Sequence, residues 1–334
     1  MDYISTRDAS AQPRSFTDIL LTGLSPDGGL FMPAVYPSIT PELLNEWREL
    51  LLHDGYAALA AEVLKLYVDD IPEADLEAIA RRAYRTPVFA DEEIVPVTRL
   101  HDGLFIGHLS EGPTAAFKDL AMQLVASLTD EALAASGERL TILTATSGDT
   151  GSAAIEAFRG LPNVDVFILY PHGRVSEVQR RQMTTADADN VLNLAVRGDF
   201  DDCQRLVKGL LADDALRERG RLSSVNSINW ARLAGQIPYY ISATAQLGGA
   251  ATFVVPTGNF GDAFAGIAAT KMGLPSNGFV AAVNQNDALA RALNDGLYSR
   301  RPAVESGSVS MDVQAPSNFE RLVFEASGRD TERT

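Results

Sequence analysis

The segment "LTILTATSGDTGSAAIEAFRG" (residues 140–160) indicates the fold, because a short apolar strand runs through a glycine-containing loop into a helical pattern. The same order recurs four times. It is found in "VDVFILY" and "SEVQRRQM", "VLNLAV" and "FDDCQRLVKGLL", "ATFVVP" and "GDAFAGIAATKMG", and "GFVAAVN" and "DALARALNDG". Repeated strand–helix units predict an α/β fold with a mainly parallel sheet and helices on both faces. In such sheets ligands bind beyond the carboxyl ends of the strands.

The first 93 residues carry a different, helical pattern. Apolar residues recur at helical spacing in "PELLNEWRELLL", "YAALAAEVLKLYV" and "PEADLEAIARRAY", and the last of these opens with a proline and acidic residues. The segment "SPDGGLFMP" (residues 25–33) predicts a turn-rich loop. We therefore predict a helical N-terminal domain over residues 1–93 and an α/β domain over residues 94–334.

The composition excludes several classes of partner. The chain has 334 residues, a formal net charge of −16 and a pI of about 4.7, so it repels nucleic acid and anionic membranes. Its one cysteine, Cys203, permits no internal disulfide and no cysteine-based zinc site, and its amphipathic setting favours packing over nucleophilic chemistry. No signal-peptide pattern and no run of ~18 apolar residues occurs, so we expect a cytoplasmic protein without a metal site.

The loop "TATSGDTGS" (residues 144–152) joins a predicted strand to a predicted helix. Its small residues allow backbone N–H groups to point at an anion, and the helix dipole would add to the attraction. The candidates are Ser147, Gly148, Asp149, Thr150 and Gly151. A carboxylate suits such a site, although a tight turn with an aspartate or threonine cap explains the loop equally well.

The loop "VPTGNFGDAFAG" (residues 255–266) has the same position after a strand. Its residues Gly258, Asn259, Phe260 and Gly261 could hold a phosphate with backbone N–H groups. The segment matches neither the P-loop nor G-x-G-x-x-G. The alternative is a glycine turn that only lets helix and strand approach each other.

The segment "SVNSINWARLAGQ" (residues 224–236) opens a further helix. Asn226 or Ser227 is suited to be its N-cap, and Arg232 follows about one turn later. Amide, hydroxyl and guanidinium groups together could bind a second anion. Taken alone, the segment is more typical of a capped helix with a surface arginine.

The chain contains only four lysines, and one of them has an unusual setting. Lys65 and Lys208 lie on amphipathic helical patterns and are predicted to be solvated, whereas Lys271 ends a helix, where a cation is favourable. Lys118 follows a Gly-Pro-Thr turn in "GPTAAFKDLAMQ", a run of mostly small and apolar residues. It could be a snorkelling lysine or pair with Asp119. A reactive lysine combined with separate carboxylate and phosphate sites is typical of a pyridoxal-phosphate site.

Four motifs in this order resemble those of threonine synthases, which are fold-type II pyridoxal-phosphate enzymes. The motifs are "GPTAAFKD", "TATSGDTGSAA", "NSINWARLAGQ" and "TGNFGD", and the opening "YISTRD" and "LLTGLSPDGGLFMP" are also similar. The resemblance covers residues 3 to about 325. It implies a two-lobed α/β domain, with a small lobe of about 130–236 and a large lobe of about 94–129 and 237–334.

The resemblance also implies roles for the candidate residues. Lys118 would bind pyridoxal 5'-phosphate through an imine and act as the catalytic base, with Asp149 near the phenolic oxygen of the cofactor. The cofactor phosphate would contact Gly258, Asn259, Phe260 and Gly261. The substrate carboxylate would contact Ser147, Gly148, Thr150 and Gly151, and the substrate phosphate Asn226, Ser227 and Arg232. The implied enzyme is a carbon–oxygen lyase that converts O-phospho-L-homoserine and water to L-threonine and phosphate, as a monomer or homodimer.

Members of this family continue beyond the point that matches residue 334. No stretch here matches the loop that contacts the pyridine nitrogen. We therefore expect an exposed apolar sheet edge, and weak stability or activity of this chain alone. Two alternative functions are a phospho-lyase that releases 2-oxobutyrate and an inactive protein that only binds anions or the cofactor.

Overall fold

The structure, a computed structural model, describes residues 1–8 and 12–334. The strands in this part of the chain are β1 (Tyr3–Ser5), β2 (Phe31–Pro33), β3 (Val97–His101), β4 (Leu104–Gly107), β5 (Leu140–Ala145), β6 (Val164–Pro171), β7 (Val191–Val196), β8 (Leu222–Ser223), β9 (Ala251–Pro256) and β10 (Ser276–Ala282). The helices are α1 (Phe16–Thr22), α2 (Pro41–Lys65), α3 (Glu73–Ala83), α4 (Lys118–Ser136), α5 (Asp149–Phe158), α6 (Glu177–Thr184), α7 (Phe200–Ala212), α8 (Asp214–Gly220), α9 (Trp230–Ala234), α10 (Ile237–Leu247), α11 (Gly261–Met272), α12 (Ala288–Asp295) and α13 (Phe319–Ala326). A 3₁₀ turn spans Val309–Met311.

Four parallel strands form the central sheet in the order β7-β6-β5-β8. Alternate side chains point to opposite faces. Ile142 and Ile168 pack in the core on one face with helix α5, whereas Leu143 and Leu169 pack with helix α7 on the other. The predicted parallel sheet with helices on both faces is therefore confirmed.

The segments outside this sheet differ in part from expectation. Strands β9 and β10 pair in parallel as a separate two-stranded sheet. Strands β3 and β4 form an antiparallel hairpin that the sequence analysis did not predict. The prediction of a loop over residues 25–33 is wrong at its end, because β2 (Phe31–Pro33) pairs antiparallel with β1. Its three buried residues have no polar alternation that would identify them as a strand.

The predicted N-terminal helices are confirmed. Helix α2 contains both helical patterns and is kinked at Gly55, whose φ of 80° suits a residue without a Cβ. One hydrophobic core includes Trp47 of this helix and Phe264 of α11. The hydroxyl of Tyr67 contacts the sulfur of Met272 at 2.9 Å. The core is therefore continuous across residue 93, and the domain boundary there stays a prediction.

Two other expectations about single residues have different outcomes. Cys203 is buried against the central sheet, and burial raises the pKa of its thiol to about 12, so its packing role is confirmed. Lys208, which its helical pattern predicted to be solvated, is half-buried. Burial lowers the pKa of its ammonium group, against the opposing charge of Glu320.

An apolar cleft of about 650 Å³ separates the β3–β4 hairpin from strand β9. Side chains on this side of the molecule are exposed, with Val254 at 66% and Ile106 at 41%. These apolar side chains are therefore open to solvent, and the exposed sheet edge stays a prediction. No helix in the described ranges is long and apolar enough to cross a membrane.

Arg321 joins the N-terminal segment to the segment before α9. Its guanidinium is fully buried and donates hydrogen bonds to the carbonyl oxygens of Ile228 (2.7 Å), Ser227 (2.9 Å) and Phe31 (3.3 Å), and to the side chain of Asn318. Burial lowers its pKa to about 9. Each of these oxygens would lose a buried donor if the guanidinium were removed.

We predict that Arg321→Met lowers the free energy of unfolding by about 2–5 kcal/mol, because buried carbonyl groups without partners are costly. Urea unfolding followed by circular dichroism measures this difference. The control is Arg219→Met, at an exposed position on α8. Equal losses in the two variants would contradict the role of Arg321.

Candidate active site

Lys118 is the first residue of α4, and its ammonium group pairs with a carboxylate from another helix. Its Nζ lies 2.7 Å from Oδ2 of Asp149, the first residue of α5, and 4.6 Å from the ring centre of Phe117. The ion pair with Asp119 that we considered from the sequence is absent from the described contacts. Two helix N-termini thus bring the lysine and the carboxylate together.

Asp119 has a structural role next to Lys118. Its buried carboxylate accepts hydrogen bonds from the backbone N–H of Thr114 (2.9 Å) and from its hydroxyl (2.7 Å). A Cβ at Gly112 would lie 2.4 Å from the Asp119 Cβ, so this glycine lets the turn fold over the carboxylate. The aspartate therefore fixes the loop that leads into Lys118.

The Asp149 carboxylate is held by two further side chains. Its Oδ1 accepts hydrogen bonds from Ser310 Oγ, at 2.6 Å, and from Gln179 Nε2. Burial would raise the pKa of Asp149, but the charge and hydrogen bond of Lys118 and the Ser310 hydroxyl outweigh it, so the pKa is lowered. Asp149 is thus kept ionised against Lys118.

Ser176 and Gln179 lie three residues apart at the start of α6, which is the sequence pattern of a capping box. Ser176 caps helix α6 as expected, because its Oγ accepts the Gln179 N–H at 3.3 Å. The Gln179 side chain does not complete the capping box. Its Oε1 accepts from Ser176 Oγ at 2.9 Å, while its Nε2 is directed to Asp149.

Two backbone N–H groups of the first predicted anion loop already form hydrogen bonds within the loop. Thr146 Oγ1 accepts the backbone N–H groups of Gly148 (2.9 Å) and Gly151 (2.8 Å). A Cβ at Gly151 would lie 2.7 Å from the Thr146 methyl group, so packing requires this glycine. Ser147 and Thr150 line the site cavity. The geometry therefore favours a role in the turn for Gly148 and Gly151. It favours contact with a ligand for Ser147 and Thr150.

The second and third predicted loops are joined by a hydroxyl group. Ser227 Oγ accepts hydrogen bonds from Asn259 Nδ2 at 2.9 Å and Asn318 Nδ2 at 2.8 Å. Phe260 has a φ of 62°, and α11 begins directly after it without a side-chain cap. The N–H groups of the first turn of α11 are therefore available to an anion.

Asn226 and Asn229 fix the third loop. The Asn226 amide bonds to both backbone groups of Ala145, at 3.1 and 2.7 Å, and so ties this loop to the carboxyl end of β5. The N-cap of α9 is Asn229, not Asn226 or Ser227 as predicted. The prediction was wrong because the helix begins only after Asn229 accepts the Ala231 N–H.

Arg232 is not a surface residue. It is 2% exposed, and one terminal nitrogen donates to the Val225 carbonyl at 2.8 Å. Its Nε has no hydrogen-bond partner among the residues that the structure describes. Burial lowers its pKa to about 10, so it remains cationic at neutral pH. A buried cation with a free donor indicates an anion site.

A cavity of about 50 Å³ brings most of the predicted residues together. It is lined by Lys118, Ser147, Thr150, Asn226, Ser227, Arg232, Gly258, Asn259, Phe260 and Gly261. The predicted residues Gly148, Asp149 and Gly151 do not line it, and Asp149 reaches the site through Lys118. The larger apolar cleft contains no lysine, so we place the chemistry in the smaller cavity.

Several residues of the site were not predicted. Ser310 and Met311 line the cavity from the 3₁₀ turn, and Gln236 and Asp262 line it at the ends of two motifs. The Asp262 carboxylate is held by the hydroxyls of Tyr239 and Tyr240, the latter at 2.7 Å. Burial raises its pKa, although both tyrosine hydroxyls oppose this shift. The sequence could have indicated Gln236, because it follows Arg232 by four residues and residues four apart share one face of a helix.

Two ranges of the chain match known protein families. Residues 2–84 match the family "Threonine synthase N terminus", and residues 80–332 match "Pyridoxal-phosphate dependent enzyme". With the parallel sheet and the lysine at its carboxyl edge, the fold and site define a fold-type II pyridoxal-phosphate-dependent enzyme.

Individual relatives are more specific. The chain is 51% identical over 340 residues to a threonine synthase of Corynebacterium glutamicum, covering all of this chain and 71% of the relative. It is 48% identical to a threonine synthase of Pseudomonas aeruginosa, and the match covers 99% of this chain and 70% of the relative. The crystal structure of pyridoxal-phosphate-bound threonine synthase from Brucella melitensis superposes with a TM-score of 0.89 at 48% identity, covering 99% and 71%. The chain belongs to the threonine synthase family.

The cavity residues fit pyridoxal phosphate. The Lys118 amine can bind its aldehyde, and the uncapped start of α11 can bind its phosphate. Gly261 lets the start of α11 approach Ser227, because a Cβ at Gly261 would lie 2.9 Å from the Ser227 Cβ.

We predict that Asp149→Asn reduces the acid sensitivity of the fold. The lowered pKa of Asp149 means that its ionised form stabilises the fold above its unfolded pKa of ~3.9, and that this contribution is lost as the pH falls through the folded pKa. Unfolding free energies measured between pH 5 and pH 3 should fall less in the variant than in the wild type. A decrease in the variant equal to that of the wild type would contradict this.

Proposed function

We propose that this chain converts O-phospho-L-homoserine and water to L-threonine and inorganic phosphate, using pyridoxal phosphate. The observation that carries the proposal is the lysine–aspartate pair beside a cavity lined by the buried Arg232, whose Nε has no hydrogen-bond partner among the described residues. The names of the relatives support the reaction. They do not favour a phospho-lyase or an inactive binding protein.

The residues of the chain would bind three anionic groups. The start of α11, with Gly258, Asn259, Phe260 and Gly261, would bind the cofactor phosphate. The loop with Ser147 and Thr150 would bind the substrate carboxylate, together with the backbone around Gly148 and Gly151. Arg232 and Ser227 would bind the substrate phosphate, and Asn226 would hold their loop in place. In an acidic protein, backbone N–H groups and one buried cation supply the positive potential.

Pyridoxal phosphate supplies an electron sink next to the substrate Cα. The Lys118 amine is placed to move protons, with Asp149 stabilising its charged form. In the overall reaction the Cγ–O bond breaks with its electron pair leaving on phosphate. The hydroxyl of water replaces one hydrogen at Cβ, and Cγ gains one hydrogen in place of the phosphate.

Movement of the segment around Val309–Met311 would be part of binding. The cavity of about 50 Å³ is well below the ~300–1,000 Å³ of small-molecule sites. Ser310 Oγ and its carbonyl oxygen bond to Asp149 and Ser147, respectively, and so close the cavity. Displacement of this turn, or hinge motion between the lobes, would admit cofactor and substrate. The lobe boundaries, the cytoplasmic location and the monomeric or homodimeric state stay predictions.

We predict that Lys118→Ala abolishes covalent binding of pyridoxal phosphate. In the wild type, added cofactor should give absorbance at ~410–430 nm, and borohydride should fix its mass on the peptide that contains Lys118. Lys271→Ala is the control, because this lysine pairs with Glu325 at 2.8 Å away from the cavity. Cofactor mass fixed by borohydride on the Lys118→Ala protein would contradict the role of Lys118 in covalent binding.

We predict that Arg232→Lys raises the KM for phosphohomoserine by about 10–100-fold, because a lysine loses the forked guanidinium donors. The dissociation constant of pyridoxal phosphate should change far less, since its phosphate would bind at the start of α11. Steady-state kinetics and cofactor titration measure the two effects. Equal weakening of both would contradict separate phosphate sites.

A further inference from the structure

Gln236 is a buried amide at the cavity whose oxygen has no partner. The residue is 1% exposed, and its Oε1 makes no hydrogen bond to any residue in the described ranges. It lines the same cavity as Lys118 and Arg232. A buried acceptor without a donor is costly, so the fold gains nothing from this oxygen unless a ligand bonds to it.

The position of Gln236 relative to Arg232 is fixed by the backbone. Gly235 and Gln236 continue helical φ and ψ values beyond the end of α9, so residues four apart lie on one face. Arg232 Nε is a donor without a partner and Gln236 Oε1 is an acceptor without a partner. One helical face thus offers a donor and an acceptor to the cavity side by side.

The acceptor must receive a hydrogen, and this requirement selects its ligand. The substrate carboxylate only accepts hydrogen bonds, and a phosphate ester with a second pKa of ~6 is mostly dianionic at neutral pH. The substrate amino group is engaged by the cofactor. Water is the remaining reactant, and it carries two hydrogens.

We propose that Gln236 orients the water that is added to Cβ of the substrate. This inference rests on the proposed function. Oε1 would accept one water hydrogen and so direct an oxygen lone pair toward the carbon, the same physical role by which a glutamine orients an attacking water in some nucleotide hydrolases. Arg232 next to it would hold the phosphate that leaves.

The step balances as an addition to the four-carbon unit that remains after phosphate leaves. The water oxygen forms a bond to Cβ and keeps one hydrogen, while the other hydrogen is transferred through Lys118 to Cα. The Cα–Cβ double bond of the unit becomes a single bond in this step. If water is not added, the 2-aminobut-2-enoate unit is released and hydrolyses to 2-oxobutyrate and ammonia. The ratio of threonine to 2-oxobutyrate therefore reports how well water is oriented.

The test compares Gln236→Met, which keeps the size of the side chain and removes the acceptor, with wild type. We expect the threonine to 2-oxobutyrate ratio to fall about tenfold or more, with little change in the KM for phosphohomoserine. The melting temperature should stay equal or rise, because an unsatisfied buried acceptor has been removed. The matched control is Gln314→Met. Its Oε1 is also buried without a partner, but it does not line the cavity, so its product ratio should equal that of wild type.

Gln236→Glu separates the role of the oxygen from that of the amide. It keeps acceptor oxygens, so the product ratio should stay near that of wild type, while its charge raises the KM for phosphohomoserine. For Gln236→Met, three results would overturn the proposal: an unchanged product ratio, a lower melting temperature, or a raised KM for phosphohomoserine without a change in the ratio. A wild-type chain that consumes no phosphohomoserine would overturn the proposed function, and this inference with it.

Discussion

The ion pair between Lys118 and Asp149 is the interaction on which the site depends. Each residue begins a helix, and each would be costly to bury alone. Their pairing brings α4 against the loop that follows β5. Gln179 and Ser310 then complete the hydrogen bonds of Asp149 from two distant segments. The pair thus connects four parts of the chain at one point beside the cavity.

A second set of contacts holds the loops that we propose to bind anions in one arrangement. Ser227 connects the loop before α11 to α9, and Arg321 bonds to the carbonyl oxygens of Ser227 and Ile228 from the far end of the chain. Two buried polar atoms that have no partner among these contacts indicate where a ligand would bind. The Nε of Arg232 and the Oε1 of Gln236 lie at the cavity, where a phosphate and a water can satisfy them.

Local sequence patterns predicted the strand–helix units and the residues at their junctions. Strand β5 with helix α5, and the position of Lys118, follow from apolar periodicity and from the glycine and proline turns around them. Ser310 could not be predicted in this way, because its contact with Asp149 spans 161 residues. Gln179 matched a local capping pattern, yet a stronger charged partner engaged its side chain. The pattern around Arg232 is typical of a surface arginine, because a sequence does not show which face of a short helix packs against the rest of the protein.

Isotope transfer from water distinguishes cleavage of the Cγ–O bond from hydrolysis of the phosphate ester. Phosphohomoserine would be incubated with the cofactor-loaded chain in water enriched in oxygen-18, and the products analysed by mass spectrometry. We expect one heavy oxygen in the hydroxyl of threonine and none in the released phosphate, because the Cγ–O bond breaks and the hydroxyl at Cβ comes from water. Heavy oxygen in the phosphate, with homoserine as the other product, would contradict it.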